Sequence, residues 1–498
     1  MNTVSHWING REAQSPGASQ PVWNPATGQQ VGEVALGGAE VVDEAVRGAA
    51  AAQAAWAATS LAKRTEVMFA FRQLLVEHTD ELAQVISREH GKTVPDAAGE
   101  IDRGRESVDF ACGIASALKG DFSQNVSSGV DVCSVRQPLG VVAGITPFNF
   151  PAMVPMWMHP IAIACGNAFV LKPSERDPSA SLLVARLYQE AGLPDGVFQV
   201  VQGGKEAVDA LLAHPQVQAV SFVGSTPVAR AVQQGAIAGG KRVQALGGAN
   251  NHAVVLPDAD IRFAAGQIAA GAFGSAGERC MAVPVAVAVG EAAEPLVAAL
   301  AEEARAIRVG PGDQAGTTMG PVITAAARDR VVSFIDEAVQ GGATAVVDGR
   351  GVVVPGHEEG FFVGPTVLTG VQPQMKAYCE EVFGPLLVVM QVDTLEQAID
   401  LVNAGPYGNG TAVFTSSGES ARQLAEQVQV GMVGVNVPIP VPVGYYSFGG
   451  WKDSLLGDHH AHGPEAVRFY TRQKVVTTRW PRTEQRAAQA SLSFPGHS

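Results

Sequence analysis

Short apolar runs bounded by turn residues recur through the first half of the chain, and helical patterns separate them. The runs are Leu139–Ile145, Ala168–Lys172, Phe198–Val201, Ala219–Val223 and His252–Leu256. Each is too short for an ordinary helix and apolar throughout, as a strand covered on both faces must be. Met153–Ala164, between the first two runs, is a helix candidate. This alternation predicts an α/β fold with a doubly wound parallel sheet. With 498 residues, 46% of them hydrophobic, the chain can build large cores and two or three domains.

The flanking regions are also patterned. Glu40–Ser116 is predicted helical, with an alanine-rich start (Ala49–Ala58) and Phe69, Phe71, Leu74, Leu75 and Leu82 near helical spacing. A second α/β block runs from about Asp258 to about Gly457. Pro151–Leu171 is apolar enough to raise the question of a membrane span. It also contains Pro151, Pro155, Pro160, His159 and Asn167, which favours a buried element. The N-terminus Met1–Trp7 lacks a basic stretch followed by an apolar one, so no secretion signal is expected. The tail after Pro481 is polar and rich in Ala and Gln, and is expected to be disordered at its end.

Charge and cysteine usage narrow the function. A net charge of −14 argues against nucleic-acid partners and anionic membrane surfaces. The cysteines at 112, 133, 165, 280 and 379 are scattered, with no CxxC pair. Free thiols in a reducing, cytoplasmic compartment are expected, without a zinc site.

Cys280 stands out. It lies in Gly274–Ala282 (GSAGERCMA), among small residues and directly after Arg279. Close substrate approach and a partly ionised thiol would make it a nucleophile. For a lone cysteine, a buried core position is the commoner reading. Three more segments shift the balance: Thr146–Pro151 (TPFNFP), Leu171–Glu175 (LKPSE) and Glu380–Pro385 (EEVFGP). In this order and at these separations, the set resembles the aldehyde dehydrogenase superfamily, from Trp7–Gly10 (WING) to Phe469–Thr471.

The resemblance implies an aldehyde dehydrogenase fold. A Rossmann-like NAD-binding domain is expected over 1–121 and 141–250, and a catalytic α/β domain over 251–460. A β oligomerisation arm is expected from 122–140 and 465–482, in a homotetramer or homodimer, with 483–498 as a tail. In the arm, Ser123–Val135 would form a hairpin that pairs with a strand near Val475–Thr478.

Aldehyde oxidation through a cysteine needs a thiolate, oxyanion donors, a hydride acceptor and a route for acyl release. Cys280 is the expected thiolate, its pKa lowered by Arg279 and flanking backbone amides. The resemblance makes the Asn149 side chain and the Cys280 N–H the oxyanion donors. No GxGxxG is present. The nearest equivalent is Phe222–Ala229 (FVGSTPVA), with Gly224 and Ser225 expected at the pyrophosphate. Lys172 and Glu175 form the implied adenosine-ribose pair. A carboxylate at Glu175 would repel a 2′-phosphate, which favours NAD over NADP. Arg176 lines the same pocket or is a solvated surface residue. Glu381 is expected on the nicotinamide ribose with Phe383 beside it, and Thr146, Phe148 and Gly247 complete the cofactor wall.

The most telling departure concerns acyl release. Hydrolytic members of the superfamily carry a glutamate base in a Glu-Leu-Gly-Gly-Lys segment. Here Val243–His252 reads VQALGGANNH. Alignment on the glycine pair puts Ala245 at the base position, and alignment by distance to Cys280 puts Leu246 there. Neither takes a proton. The lysine position is changed as well, to Asn250 or Ala249. Either the enzyme is crippled, or its acyl group goes to an acceptor that needs less help than water, such as a thiol.

Asn251–His252, Gly277–Ala282, Gly434–Pro442 (GVNVPIPVP) and Phe469–Thr477 (FYTRQKVVT) resemble the methylmalonate-semialdehyde dehydrogenase branch, which is coenzyme-A-acylating. That branch implies malonate or methylmalonate semialdehyde as substrate, coenzyme A as co-substrate, and acetyl-CoA or propionyl-CoA, CO₂ and NADH as products. The substrate carboxylate calls for fixed cations. Arg279 and Arg103 are expected to supply them, with Arg105 left as a surface residue. The alternative enzyme is hydrolytic, with Asp458 in the histidine-rich loop Gly457–Gly463 as base. No metal is expected there. A non-catalytic protein on this scaffold is disfavoured by Cys280, Asn149, Lys172 and Glu381 occurring together.

Overall fold

The computed structural model describes residues 3–14 and 17–480. The expected tail at 483–498 lies outside them. Among the described residues the two large sheets have eight and seven strands. In the first, Phe198–Val200, Ala168–Lys172, Val141–Ile145, Val217–Val223 and Arg242–Leu246 lie side by side in that spatial order, all parallel. Chain order therefore reverses at Val141–Ile145, with later strands added on both sides. Such a reversal opens a crevice at the carboxyl ends of the strands, where doubly wound proteins bind ligands. Val141–Ile145 and Ala168–Lys172 are buried along their whole length, as their apolar composition requires.

The second sheet differs from the sequence expectation at one strand. His252–Val255 does not continue the first sheet. It sits centrally in the second, between Val285–Val289 and Gly410–Phe414, and is parallel to both. Leu386–Val392 pairs on the far side of Val285–Val289. Conversely Leu455–Leu456, inside the expected 251–460 block, pairs antiparallel with Arg242–Leu246 of the first sheet. Local apolar pattern cannot assign a strand to a sheet, because both sheets are covered on both faces.

The N-terminal helical region comprises Ala39–Ala58, Leu61–Glu77, Thr79–His90, Val94–Cys112 and Ile114–Ala117. Val94–Cys112 starts where the Thr93 hydroxyl accepts from the Asp96 N–H at 3.3 Å, a side-chain N-cap. The Met153–Ala164 candidate divides into Met153–Met156 and His159–Ala164. Pro160 has no N–H to continue the ladder, which accounts for the break. Residues 151–173 are buried throughout, and no described helix is long and apolar enough to cross a membrane. Phe122–Ser127 and Val130–Pro138 form the expected hairpin, and Thr471–Arg479 pairs antiparallel with its second strand, Val475 opposite Ser134.

Candidate active site

The two sheets face each other across the site. Thr146–Asn149 follows the strand Val141–Ile145, Lys172 ends its neighbour, and Gly224–Ser225 and Gly247 follow the next two strands. These are the carboxyl ends of the first sheet. Opposite them, Asn251, Cys280, Glu381 and Asn409 precede the strands His252–Val255, Val285–Val289, Leu386–Val392 and Gly410–Phe414, at the amino ends of the second sheet.

Cys280 is held on a strained turn. Ser275 and Ala276 have φ of 52°, and Gly277 has φ of 73°. Non-glycine residues seldom adopt this region, and strain of this kind gathers at functional sites. A Cβ on Gly277 would lie 2.2 Å from the Gly384 carbonyl oxygen, so glycine lets this turn pack on the Glu381–Gly384 loop. The Asn251 side-chain amide donates to the Cys280 carbonyl at 2.9 Å and to the Ala282 carbonyl at 2.8 Å, and Asn409 donates to the Cys280 carbonyl at 3.2 Å. Cys280 and Glu381 line one small cavity of about 20 Å³ with Asn251, Arg279 and Phe383.

The groups expected to activate the thiol act in the expected direction, but burial outweighs them. Burial pushes its pKa up to about 12, and the Glu381 carboxylate adds to the rise. The N–H groups of Cys280 and Met281 pull it down, and Arg279 contributes least. Arg279 is a poor activator because its guanidinium donates to Asp96 at 2.6 Å.

Arg103 is also engaged. It donates to Glu106 at 2.6 Å and to the Val441 carbonyl at 3.0 Å, while Glu106 accepts from the Gly444 N–H at 3.0 Å. This pair pins the Val441–Gly444 loop. Arg105 is not the more exposed of the two: its side chain is 23% exposed against 37% for Arg103, and it pairs with Asp102.

Some of the expected dinucleotide residues contact one another. Lys172 and Glu175 pair at 2.9 Å, and Lys172 holds the Glu175 carboxyl below its ordinary pKa against the opposing effect of burial. Arg176 stacks over the Phe148 ring at 5.1 Å, and Phe148 meets Phe383 edge-on at 5.8 Å. Phe383 has φ of 55°. Among the described residues the buried Thr146 hydroxyl has no hydrogen-bond partner. Ser225 starts the helix Thr226–Ala238 without a side-chain cap. Those free amides and that hydroxyl suit an anionic pyrophosphate. Gly247 packs too tightly on Asp453 for a side chain, with a Cβ falling 2.4 Å from its carbonyl oxygen. Burial raises the Glu381 pKa to about 7, and its carboxylate accepts from the Ala249 N–H at 2.9 Å.

Ala245 and Leu246, the two residues considered for the base position, lie on opposite faces of their strand. Alternate residues of a strand face opposite sides. Leu246 joins the core cluster that contains Met281 and against which Cys280 packs, while Ala245 packs on the other face with Val220 and Phe222. Leu246 therefore belongs to the same core cluster that Cys280 packs against. Asp458 is exposed and does not line the Cys280 cavity.

Two buried residues went unread in the sequence. Lys92 and Glu100 form an ion pair at 2.6 Å with both side chains fully buried. Lys92 also donates to the Asn149 carbonyl at 2.7 Å. The stretch Arg88–Glu106 is rich in charged residues, and spacing alone does not separate a buried pair from a surface bridge. Asn149 itself is 3% exposed, and its side-chain amide has no protein hydrogen bond among the described residues.

The chain belongs to the aldehyde dehydrogenase family, whose pattern matches residues 11–476. It is 53% identical over 495 residues to malonate-semialdehyde dehydrogenase of Pseudomonas aeruginosa, covering 99% of each chain. It is 44% identical over 494 residues to the acylating, mitochondrial methylmalonate-semialdehyde/malonate-semialdehyde dehydrogenase of Bos taurus, covering 99% of this chain and 91% of that one. A crystal structure from Sinorhizobium meliloti complexed with NAD superposes with a TM-score of 0.96 at 48% identity, covering 97% of this chain and 99% of that one.

Proposed function

We propose that this protein is an NAD-dependent, coenzyme-A-acylating dehydrogenase of malonate or methylmalonate semialdehyde. The observation that carries the acylating part is Leu246, an apolar side chain in the core cluster that Cys280 packs against, where a hydrolytic enzyme needs a base. The substrate names of the Pseudomonas and bovine relatives support the semialdehyde part.

In this reading the Cys280 sulfur, once deprotonated, adds to the aldehyde carbon. The oxyanion is met by the Asn149 side-chain amide and the Cys280 N–H. Lys172 and Glu175 would hold NAD at the adenosine ribose, Gly224 and Ser225 at the pyrophosphate, and Glu381 and Phe383 at the nicotinamide end. Thr146, Phe148, Arg176 and Gly247 complete the wall. The Lys172–Glu175 pair, the orphaned Thr146 hydroxyl and the uncapped helix at Ser225 fit that cofactor. The chemistry supplied by bound NAD is hydride acceptance, which oxidises the adduct to a Cys280 thioester.

Arg103 and Arg279 hold the substrate carboxylate through donors left over from their ion pairs. The carboxylate lies β to the thioester carbonyl, so CO₂ leaves with its bonding pair delocalised onto that carbonyl, and a proton replaces it. The acyl group then passes to the coenzyme A sulfur and the Cys280 thiol is restored. Semialdehyde, NAD⁺ and coenzyme A give acyl-CoA, CO₂ and NADH. The arm formed by Phe122–Ser127, Val130–Pro138 and Thr471–Arg479 serves oligomerisation, and the site lies between a cofactor domain and a catalytic domain.

Product analysis tests this reading. Malonate semialdehyde and NAD are supplied with and without coenzyme A, and NADH, CO₂ and acetyl-CoA are followed. Sustained turnover that needs coenzyme A, with one acetyl-CoA per NADH, supports it. Sustained turnover to free acid without coenzyme A refutes it.

A further inference from the structure

We infer that Lys92 and Glu100 are positioning residues that hold the oxyanion loop, and with it the Asn149 amide, in its working place. The inference rests on the reading of Asn149 as an oxyanion donor.

The pair grips the loop at both ends. Lys92 donates to the Asn149 carbonyl at 2.7 Å and to Glu100 at 2.6 Å. The other Glu100 oxygen accepts from the Ala152 N–H at 2.9 Å and the Met153 N–H at 3.2 Å. The Lys92 ammonium also lies 4.4 Å from the centre of the Phe150 ring. One ion pair thus touches Asn149, Phe150, Ala152 and Met153 without contacting the cavity at Cys280. Its fully buried setting strengthens each of these hydrogen bonds and leaves few alternative arrangements. Among the described residues the Asn149 side-chain amide has no protein partner, so the direction of that amide is set by the backbone that carries it. Displacing a catalytic group by about 1 Å costs on the order of 10²-fold in rate, which is why a fixed loop matters.

The test is a mutant cycle between the pair and Asn149. Lys92→Met/Glu100→Leu replaces the pair with apolar side chains, a change that buried ion pairs often tolerate. Glu100→Gln keeps an acceptor for Ala152 and Met153, and it carries the same cycle if the double variant does not fold. Turnover is measured per titratable Cys280, alongside NAD affinity and the KM for semialdehyde. Positioning predicts a kcat loss of about 10–10²-fold with NAD affinity and KM retained, and a smaller loss for Glu100→Gln. It also predicts that the loss vanishes when Asn149 is already alanine. A variant with unchanged kcat, or a loss of the same factor in the Asn149→Ala background, overturns the inference. Asn149→Ala with near-normal turnover would remove the reading of Asn149 itself. Asn149→Ala slowed by about 10²–10³-fold keeps that reading, whatever the pair does.

Discussion

The Arg279 guanidinium, although next in sequence to Cys280, is bound to Asp96 at 2.6 Å. Arg279 lines both the small cavity at Cys280 and a larger cleft of about 480 Å³ that Asp96, Thr93 and Phe273 share. In the proposed reading, a substrate carboxylate would have to compete with Asp96 for this cation. Arg279→Leu is expected to raise the KM for malonate semialdehyde by about 10–100-fold, the value of a charged hydrogen bond, while sparing propanal. Arg103→Leu should act in the same direction. Asp96→Asn frees the guanidinium and should lower that KM. Steady-state kinetics on both aldehydes checks this, and equal losses on both would make the arginines structural.

Leu246 points to a gain-of-function experiment. A general base contributes about 10²–10⁴-fold to a step that needs one. Leu246→Glu should raise coenzyme-A-independent release of free acid by about 10-fold or more, a smaller gain because the new carboxyl is buried and tends to stay protonated. Acid release without coenzyme A is the measurement. No increase in a folded variant would place the water-facing position elsewhere.

The thiol pKa gives a pH prediction. With Cys280 pushed up to about 12 by burial and by Glu381, the thiolate fraction at neutral pH is small and grows about tenfold per pH unit. Glu381, with its pKa near 7, opposes thiolate formation only when ionised. Glu381→Gln should therefore speed alkylation of Cys280 above that pH and leave it unchanged well below. Peptide mapping is the readout, since exposed Cys379 also reacts.

Glu278 supplies a stability prediction. Burial raises its pKa from an ordinary 4.5 to about 8, while the Ile323 N–H donates to its carboxylate at 3.2 Å. Below 4.5 both folded and unfolded chains carry the proton. Between 4.5 and 8 only the folded chain keeps it, so stability falls as pH rises, by up to roughly 1.4 kcal/mol per unit. Above 8 there is no further loss. Glu278→Gln retains an acceptor without the ionisation. Its Tm should match that of the wild type near pH 4.5 and exceed it at pH 8. A constant difference across that range would contradict this account.

Strands were legible in the sequence because they are local. The apolar runs match Ala168–Lys172 and Val217–Val223 closely. Sheet membership was not legible, since His252–Val255 carries the same apolar pattern as the strands of the other sheet. Electrostatic pairing was hidden for a related reason. Asp96 and Arg279 are 183 residues apart in sequence, and nothing local announces that one neutralises the other. The Lys92–Glu100 pair is closer, but what surrounds it is the Asn149–Met153 segment, remote in sequence from both residues. The opposite facing of Ala245 and Leu246 follows from the one strand that carries both.

The central claim is that the Cys280 acyl group waits for a thiol because no base prepares water to remove it. Intact-mass spectrometry tests this most directly. The enzyme is mixed with malonate semialdehyde and NAD in the absence of coenzyme A, and the mass of the chain is followed before and after coenzyme A is added. The account predicts an acyl adduct on Cys280 that persists and then discharges as acetyl-CoA. An adduct that disappears into free acid at the turnover rate, with no coenzyme A present, would contradict it.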